Sequence, residues 1–118
     1  MRVVFLGTPA DAVPALEGLC AAGHEIALVI TQPDRRRGRA GKGPAGALHP
    51  SPVKAAATKL GLRVLEPVAV GAVLDEVRRS GAELGVVVAF GQLIPTAVLD
   101  VPPAGFVNLH FSLLPRWR

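Results

Sequence analysis

The fold is decided by the stretch that opens the chain, Met1-Arg2-Val3-Val4-Phe5-Leu6-Gly7-Thr8-Pro9. An apolar run rich in β-branched side chains leads directly into a Gly-Thr-Pro turn, which predicts a buried strand over Met1–Leu6. Thr8 and Asp11 are spaced as in a capping box, and apolar residues then recur at helical intervals as far as Gly23. The opening of the chain therefore predicts a strand, a turn and a helix.

The same alternation continues along the rest of the chain. Short apolar runs without polar alternation are typical of strands covered on both faces, and they occur at Glu25–Thr31, Leu62–Leu65, Leu84–Ala89 and Phe106–His110. Helical patterns separate them: one begins at Ser51-Pro52, a second includes Val73 and Val77, and a short third covers Pro95–Leu99. Because parallel strands are joined by right-handed crossovers, this order predicts an α/β fold with an open parallel sheet.

Composition limits the class of protein. A chain of 118 residues is long enough for one domain, and a content of 50% hydrophobic and 19% charged residues argues against disorder. The longest uncharged run, residues 84–99, contains glycine and proline and falls short of the ~20 apolar residues that cross a membrane. The apolar stretch at the amino terminus is too short for a signal peptide. We therefore expect a cytoplasmic protein with no membrane partner.

Positive charge is concentrated between the second strand and the next helix. The chain has 13 Lys and Arg against 9 Asp and Glu, and six of these cations lie near a single acid, Asp34. The six are Arg35, Arg36, Arg37, Arg39, Lys42 and Lys54. Residues 32–50 carry four glycines, three prolines and no apolar period, which predicts a long surface loop. The pattern fits either a solvated loop or a phosphate-binding surface.

Three kinds of site are excluded. A dinucleotide fingerprint needs further glycines after Gly7, and Pro9 lacks a backbone donor that a pyrophosphate would use. A phosphate loop would place Gly-Lys-Ser or Gly-Lys-Thr after the first strand, where none is found. Cys20 is the single cysteine, and the three histidines lack the spacing of metal ligands, so we expect no metal and a small core residue at Cys20.

Candidate chemistry lies at the carboxyl ends of the predicted strands, where parallel sheets bind ligands. These ends carry Thr8, Thr31-Gln32, Phe90-Gly91-Gln92, Asn108 and His110. Asn108 and His110 are two apart on one strand and so share a face. An amide and an imidazole there can stabilise an oxyanion and move a proton. The alternative is a core histidine and a strand-end cap. No Ser or Cys has a clear catalytic partner, which favours direct transfer over a covalent intermediate.

Taken together, several segments resemble methionyl-tRNA formyltransferases. They are residues 2–9, 12–14, 31–34, 38–39, 51–54, 86–91, 94–95 and, above all, 108–118 (Asn-Leu-His-Phe-Ser-Leu-Leu-Pro-Arg-Trp-Arg). The last segment is similar to the formyl-folate signature of the wider formyltransferase family, whereas Gly-Thr-Pro and Ser-Pro-Val-Lys are narrower. Glycinamide ribonucleotide formyltransferases instead carry a glycine- and serine-rich phosphate loop after the first strand. The similarity covers the whole chain.

The resemblance implies transfer of a formyl group from 10-formyltetrahydrofolate to the amino group of initiator methionyl-tRNA, by a monomer without a metal or a DNA partner. It places Asn108 and His110 as the catalytic pair. The folate-binding positions are Phe90, Gly91, Gln92, Ile94, Ser112, Leu113, Leu114 and Pro115. The tRNA-binding positions are Arg35, Arg36, Arg37, Arg39 and Lys42.

The resemblance also implies a Rossmann-like formyltransferase fold. Residues 1–118 would form the amino-terminal part of its catalytic domain, with further strands, a catalytic aspartate and a carboxyl-terminal domain to follow. Within that fold we predict a sheet ordered third, second, first, fourth and fifth strand, with Val107–His110 at an edge. Two departures from the family pattern stand out: Asp11 occupies a position that is usually aromatic, and the basic loop has additional residues around Ala40–Ala47.

Two alternatives stay open. The first is a truncated, inactive remnant that binds folate or RNA weakly. The second is a sugar formyltransferase, which would share the Asn/His pair and the Ser-Leu-Leu-Pro element. The Arg-rich loop and Ser51–Lys54 favour the tRNA enzyme over the sugar enzyme.

Overall fold

A computed structural model of the chain describes residues 1–33 and 50–109, which form helices on both faces of one parallel sheet. The strands are β1 (Arg2–Gly7), β2 (Glu25–Ile30), β3 (Val64–Leu65), β4 (Leu84–Val88) and β5 (Phe106–Leu109). The helices are α1 (Val13–Ala21), α2 (Pro52–Lys59), α3 (Leu74–Ser80) and α4 (Thr96–Leu99), with short 3₁₀ turns at Ala10–Ala12 and Val70–Val73 before α1 and α3. The predicted α/β class is confirmed.

The strand order is β3-β2-β1-β4-β5, and every neighbouring pair is parallel, as predicted. β1 lies at the centre because its residues 3–6 are all apolar and can be covered on both faces. In the described part of the chain β5 is an edge strand. One row across the sheet joins Leu6 to Ile30 on one side and to Val87 and then Asn108 on the other. Asn108 therefore lies on the same face as Leu6.

Two apolar layers hold the sheet, because successive strand side chains point to opposite faces. Val3 and Phe5 pack with Leu16 of α1 and with Val53 and Ala57 of α2. The other face of the sheet packs against α3 and the elements around α4, through Val4, Leu6, Leu28, Ile30, Val77 and Val98. Cys20 is half-buried and packs against the first of these layers, as expected of a small core residue.

The sequence patterns that predict helix caps are confirmed at some helix ends and wrong at another. Ser51 caps α2 as predicted, since its Oγ accepts a hydrogen bond from Lys54 N at 3.0 Å. Gly81 ends α3 in the left-handed conformation, with φ 69°. The capping box predicted at Thr8 and Asp11 is wrong: Thr8 Oγ1 donates to the Phe90 carbonyl at 3.2 Å, and no side chain caps the 3₁₀ turn. Thr8 is thus turned toward β4 rather than toward the helix.

Among the described residues, no helix is both long enough and apolar enough to span a membrane.

Candidate active site

A cavity of about 530 Å³ opens beside the carboxyl ends of β4 and β5. Its walls are mostly apolar and come from β4, the segment that follows it, α4 and β5. The lining residues are Val87, Ala89, Phe90, Gly91, Gln92, Leu93, Ile94, Leu99, Phe106 and Asn108. An apolar cavity with a few polar groups at the carboxyl edge of a parallel sheet is the expected form of a ligand site in this fold.

A second cavity of similar volume, about 520 Å³, lies at the opposite edge of the sheet beside Met1, Arg2, Glu25 and Glu83. Its charged side chains already have partners within the protein. Arg2 Nη1 lies 3.3 Å from Glu25 Oε1, and Arg2 N donates to Glu83 Oε1 at 2.9 Å. The two cavities have similar volumes, so volume does not show which one binds a ligand. The apolar walls and few polar groups of the cavity at the carboxyl edge favour it as the ligand site.

The structure brings together every predicted donor-site and catalytic residue that it describes. Phe90, Gly91, Gln92 and Ile94 line the cavity, and so does Asn108 from the neighbouring strand. Asn108 is exposed and paired in register with Val87. It is therefore available to a ligand in the cavity.

The remaining predicted residues lie outside the described part of the chain. They are His110, Ser112, Leu113, Leu114 and Pro115 of the last segment, and Arg35, Arg36, Arg37, Arg39 and Lys42 of the basic loop.

The segment after β4 has an unusual backbone. Ala89 has a φ of 51° and Gly91 a φ of 91°, and both angles lie in the left-handed region that most side chains disfavour. The carbonyl of Phe90, between them, accepts two hydrogen bonds, from Thr8 Oγ1 at 3.2 Å and from Gln32 Nε2 at 3.1 Å. Hydrogen bonds thus connect the turn that forms one wall of the cavity to the residues that follow β1 and β2.

Further polar contacts connect the end of β2 to α2 and to the residues after β3. The buried hydroxyls of Thr31 and Ser51 lie 2.9 Å apart. Lys54 Nζ lies 3.0 Å from Glu66 Oε1, with both side chains about one-quarter to one-third exposed. The contact between Thr31 and Ser51 joins two residues that flank the basic loop, at the carboxyl edge of the sheet.

The sequence identified Thr8 as a strand-end and capping residue and Gln32 as a strand-end residue, and it missed Glu66. The partners of Thr8 and Gln32 are distant in sequence, at separations of 82 residues for Thr8 and Phe90 and 58 for Gln32 and Phe90. The only signal was the position of Thr8 and Gln32 directly after predicted strands, which marks an edge but does not specify a partner. Within residues 1–33 and 50–109, no group of three or more His, Cys, Asp or Glu side chains could hold a metal ion.

Comparison with known proteins gives the family. The model of the formyl transferase family matches residues 1–118. The chain belongs to the formyl transferase family. Among similar curated proteins are the methionyl-tRNA formyltransferases of Heliobacterium modesticaldum, Dinoroseobacter shibae and Moorella thermoacetica, which are 51%, 54% and 52% identical to it. These matches cover 100% of this chain but only 36%, 38% and 37% of the relatives. This formyl transferase chain thus spans a little over a third of their length.

A solved structure supports the fold. Glycinamide ribonucleotide transformylase 1 from Symbiobacterium toebii superimposes with a TM-score of 0.63 over 98% of this chain and 53% of its own. The two sequences are 19% identical, so the likeness concerns the fold. The predicted formyltransferase fold and family are confirmed for this formyl transferase chain.

Proposed function

We propose that this formyl transferase chain belongs to an enzyme that transfers a formyl group from 10-formyltetrahydrofolate to the α-amine of methionyl-tRNA. The observation that carries the proposal is the meeting of Asn108 with the Phe90–Ile94 segment in one cavity. Identity of about one half with methionyl-tRNA formyltransferases along the whole chain supports the choice of acceptor. As an enzyme of translation initiation it would act in the cytoplasm, as a monomer, with tRNA as its nucleic acid partner.

The cavity suits a folate-type donor. Val87, Leu93, Ile94 and Phe106 provide apolar walls against which a flat pterin ring can pack. The turn that follows β4 offers backbone groups at one side of the cavity, beyond the last register pair of the ladder at Val88. Phe90, Gly91, Gln92 and Ile94 would hold the donor from this side. Ser112, Leu113, Leu114 and Pro115 complete the proposed donor site.

Asn108 and His110 would act on the transferred group. In the reaction the amine of the acceptor attacks the formyl carbon, the bond from that carbon to the donor nitrogen breaks, and the proton that the amine loses ends on the donor nitrogen. The Asn108 amide can donate a hydrogen bond to the formyl oxygen as negative charge develops on it. We propose that His110, two residues further along the chain, also donates a hydrogen bond to the formyl oxygen and carries the proton lost by the amine.

The acceptor would be held largely by charge. Arg35, Arg36, Arg37, Arg39 and Lys42 follow β2, whose carboxyl end lies at the same edge of the sheet as the cavity. Cations attract the phosphates of RNA irrespective of sequence. We propose that these five side chains contact the tRNA backbone.

The proposal is tested in a fusion enzyme in which residues 1–118 replace the matching part of the Moorella thermoacetica methionyl-tRNA formyltransferase. Labelled 10-formyltetrahydrofolate is offered with methionyl-tRNA, with glycinamide ribonucleotide and with an amino sugar nucleotide. We expect formyl transfer to methionyl-tRNA only. The Moorella remainder without residues 1–118 is the control and should be inactive. Transfer to the amino sugar, or no transfer by a folded fusion enzyme, would contradict the proposal.

A further inference from the structure

We propose that Gln32 is a positioning residue for the donor cavity: its side-chain amide holds the Phe90 carbonyl and so sets the turn formed by residues 89–92. Gln32 is not itself a lining residue of the cavity. What the cavity binds rests on the proposed function, whereas the control of the turn by Gln32 does not.

The carbonyl oxygen of Phe90 accepts its full complement of hydrogen bonds. Phe90 O accepts from Gln32 Nε2 at 3.1 Å and from Thr8 Oγ1 at 3.2 Å. Thr8 Oγ1 in turn accepts from the backbone N–H of Gln32 at 3.3 Å. A carbonyl oxygen has two lone pairs, so both are used here. The side chain of Gln32 therefore binds the Phe90 carbonyl directly, and its backbone N–H binds Thr8, which contacts the same carbonyl.

These hydrogen bonds maintain an unusual backbone conformation in residues 89–91. Ala89 holds a φ of 51° although it has a Cβ, and such a conformation persists only where the surrounding structure enforces it. Gly91 holds a φ of 91°, and a Cβ there would come within 2.7 Å of Gln32 Nε2. The turn and the amide are therefore in close contact. Without the hydrogen bond from Gln32, we expect the turn to relax toward ordinary backbone angles.

The orientation of the Gln32 amide is fixed by its hydrogen-bond partners. Gln92 Nε2 donates to Gln32 Oε1 at 3.2 Å and to the carbonyl of Pro67 at 3.2 Å. If the Gln32 amide were flipped, its oxygen would face the Phe90 oxygen and its nitrogen would face the Gln92 nitrogen. The network therefore specifies which end of Gln32 faces Phe90. Gln92 both lines the cavity and closes this network.

A carboxylate at position 32 distinguishes this role from simple packing. In Gln32→Glu one oxygen can still accept from Gln92, but the other faces the Phe90 oxygen and must carry a proton to donate. We expect the pKa of that carboxyl to lie above its ordinary value. Glu66, next to Pro67 in the chain, and Lys54, whose Nζ lies 3.0 Å from Glu66 Oε1, are the titratable side chains beside this network in the described residues. The other titratable side chains of the adjoining elements stand at the far ends of those elements: Arg2 begins β1, Glu25 begins β2 and Lys59 ends α2. The groups facing Gln32 from β1 and the turn, Thr8 and Phe90 to Gln92, do not titrate.

The turn can be observed directly, because Phe90-Gly91 is the single Phe-Gly pair in the sequence. A sample of the 118-residue chain with ¹³C-carbonyl phenylalanine and ¹⁵N-glycine gives one carbonyl-to-amide NMR signal. We expect the Phe90 carbonyl shift to be independent of pH in the wild type and displaced at every pH in Gln32→Leu. In Gln32→Glu it should titrate, returning toward the wild-type shift as the pH falls.

The double variant Gln32→Glu, Glu66→Gln is the control for the nearby carboxylate and should still titrate. The inference is overturned if the Phe90 shift is the same in Gln32→Leu as in the wild type, or if it does not titrate in Gln32→Glu. If Gln32→Leu does not fold, the inference is tested by Gln32→Glu alone, in which the Phe90 carbonyl shift should titrate reversibly.

The fusion enzyme supplies the functional readout. We expect Gln32→Leu to raise KM for the donor about tenfold, the effect of one lost hydrogen bond, with KM for methionyl-tRNA unchanged. In Gln32→Glu the donor KM should fall back toward the wild-type value at low pH. An active wild-type fusion enzyme with an unchanged donor KM in both variants overturns this inference. An inactive wild-type fusion enzyme overturns the proposed function, and the NMR result then decides the inference.

Discussion

Gly85 and Gly18 differ sharply in the space that surrounds them. A Cβ at Gly85 on β4 would overlap the ring of Phe106 on β5, whereas a Cβ at Gly18 on α1 would meet nothing within 4 Å apart from its chain neighbours and the backbone of its own helix. Phe106 also lines the cavity, so its ring links the strand pair to the candidate site. The absence of a side chain at Gly85 is therefore required for both packing and the shape of the cavity.

We expect Gly85→Ala to lower the free energy of unfolding by about 1–3 kcal/mol, because the added methyl overpacks the contact with Phe106. Gly18→Ala is the matched control and should raise it by up to about 1 kcal/mol, since alanine favours the helix. Urea unfolding followed by circular dichroism measures both. Equal midpoints for the two variants would show that β5 can move away from β4 without cost.

The positions of single residues could be predicted from local sequence patterns, but their side-chain contacts could not. The predicted position of Asn108 at the carboxyl edge is confirmed, because its place on a strand followed from a local apolar pattern. Thr8 was predicted to cap a helix, since the capping pattern is local, but its hydroxyl bonds with the distant Phe90 carbonyl. The fixed amides of Gln32 and Gln92 have no local pattern at all. Contacts between strand ends depend on the assembled sheet.

Secondary-structure elements were more predictable than the turns between them. The buried run of β1 and the Ser51-Pro52 start of α2 carry strong local signals, and both elements form. The strand predicted over Leu62–Leu65 is shorter, at Val64–Leu65, because only those residues pair with β2. The left-handed Ala89 could not be predicted, since alanine has no preference for that conformation.

We predict that the basic loop between β2 and α2 contributes to RNA binding. In the fusion enzyme we expect Arg36, Arg37 and Arg39 changed together to Ala to flatten the dependence of tRNA affinity on salt. Each lost phosphate contact should reduce the slope of log K against log salt by up to about 0.9. Binding of labelled methionyl-tRNA at several salt concentrations measures the slope.

The control removes the same charge elsewhere, through Arg63, Arg78 and Arg79 changed together to Ala. These side chains are exposed and lie before β3 and on α3. If both triple variants give the same slope, the basic segment acts only through net charge and does not contact the tRNA.

At the level of the whole molecule, the chain carries one part of a larger family architecture. It spans 36–38% of the length of the curated relatives considered above, and β5 is an edge strand in the described residues. We propose that a carboxylate from the part of the relatives that this chain does not match supports His110. A carboxylate that holds and stabilises a charged histidine is worth several orders of magnitude in rate in enzymes that use such a pair. If this proposal holds, residues 1–118 tested alone transfer no labelled formyl to methionyl-tRNA, whereas transfer at the rate of the fusion enzyme would contradict it.

The most direct measurement is the transfer of labelled formyl from 10-formyltetrahydrofolate to methionyl-tRNA by the fusion enzyme and its variants at equal concentration. We expect the fusion enzyme to be active and Asn108→Ala and His110→Ala each to lower kcat about 100- to 1,000-fold, as for loss of an oxyanion donor. His24→Ala, at the opposite edge of the sheet beside Met1, is the control and should retain full activity. Full activity in Asn108→Ala and His110→Ala would contradict the assignment of the site.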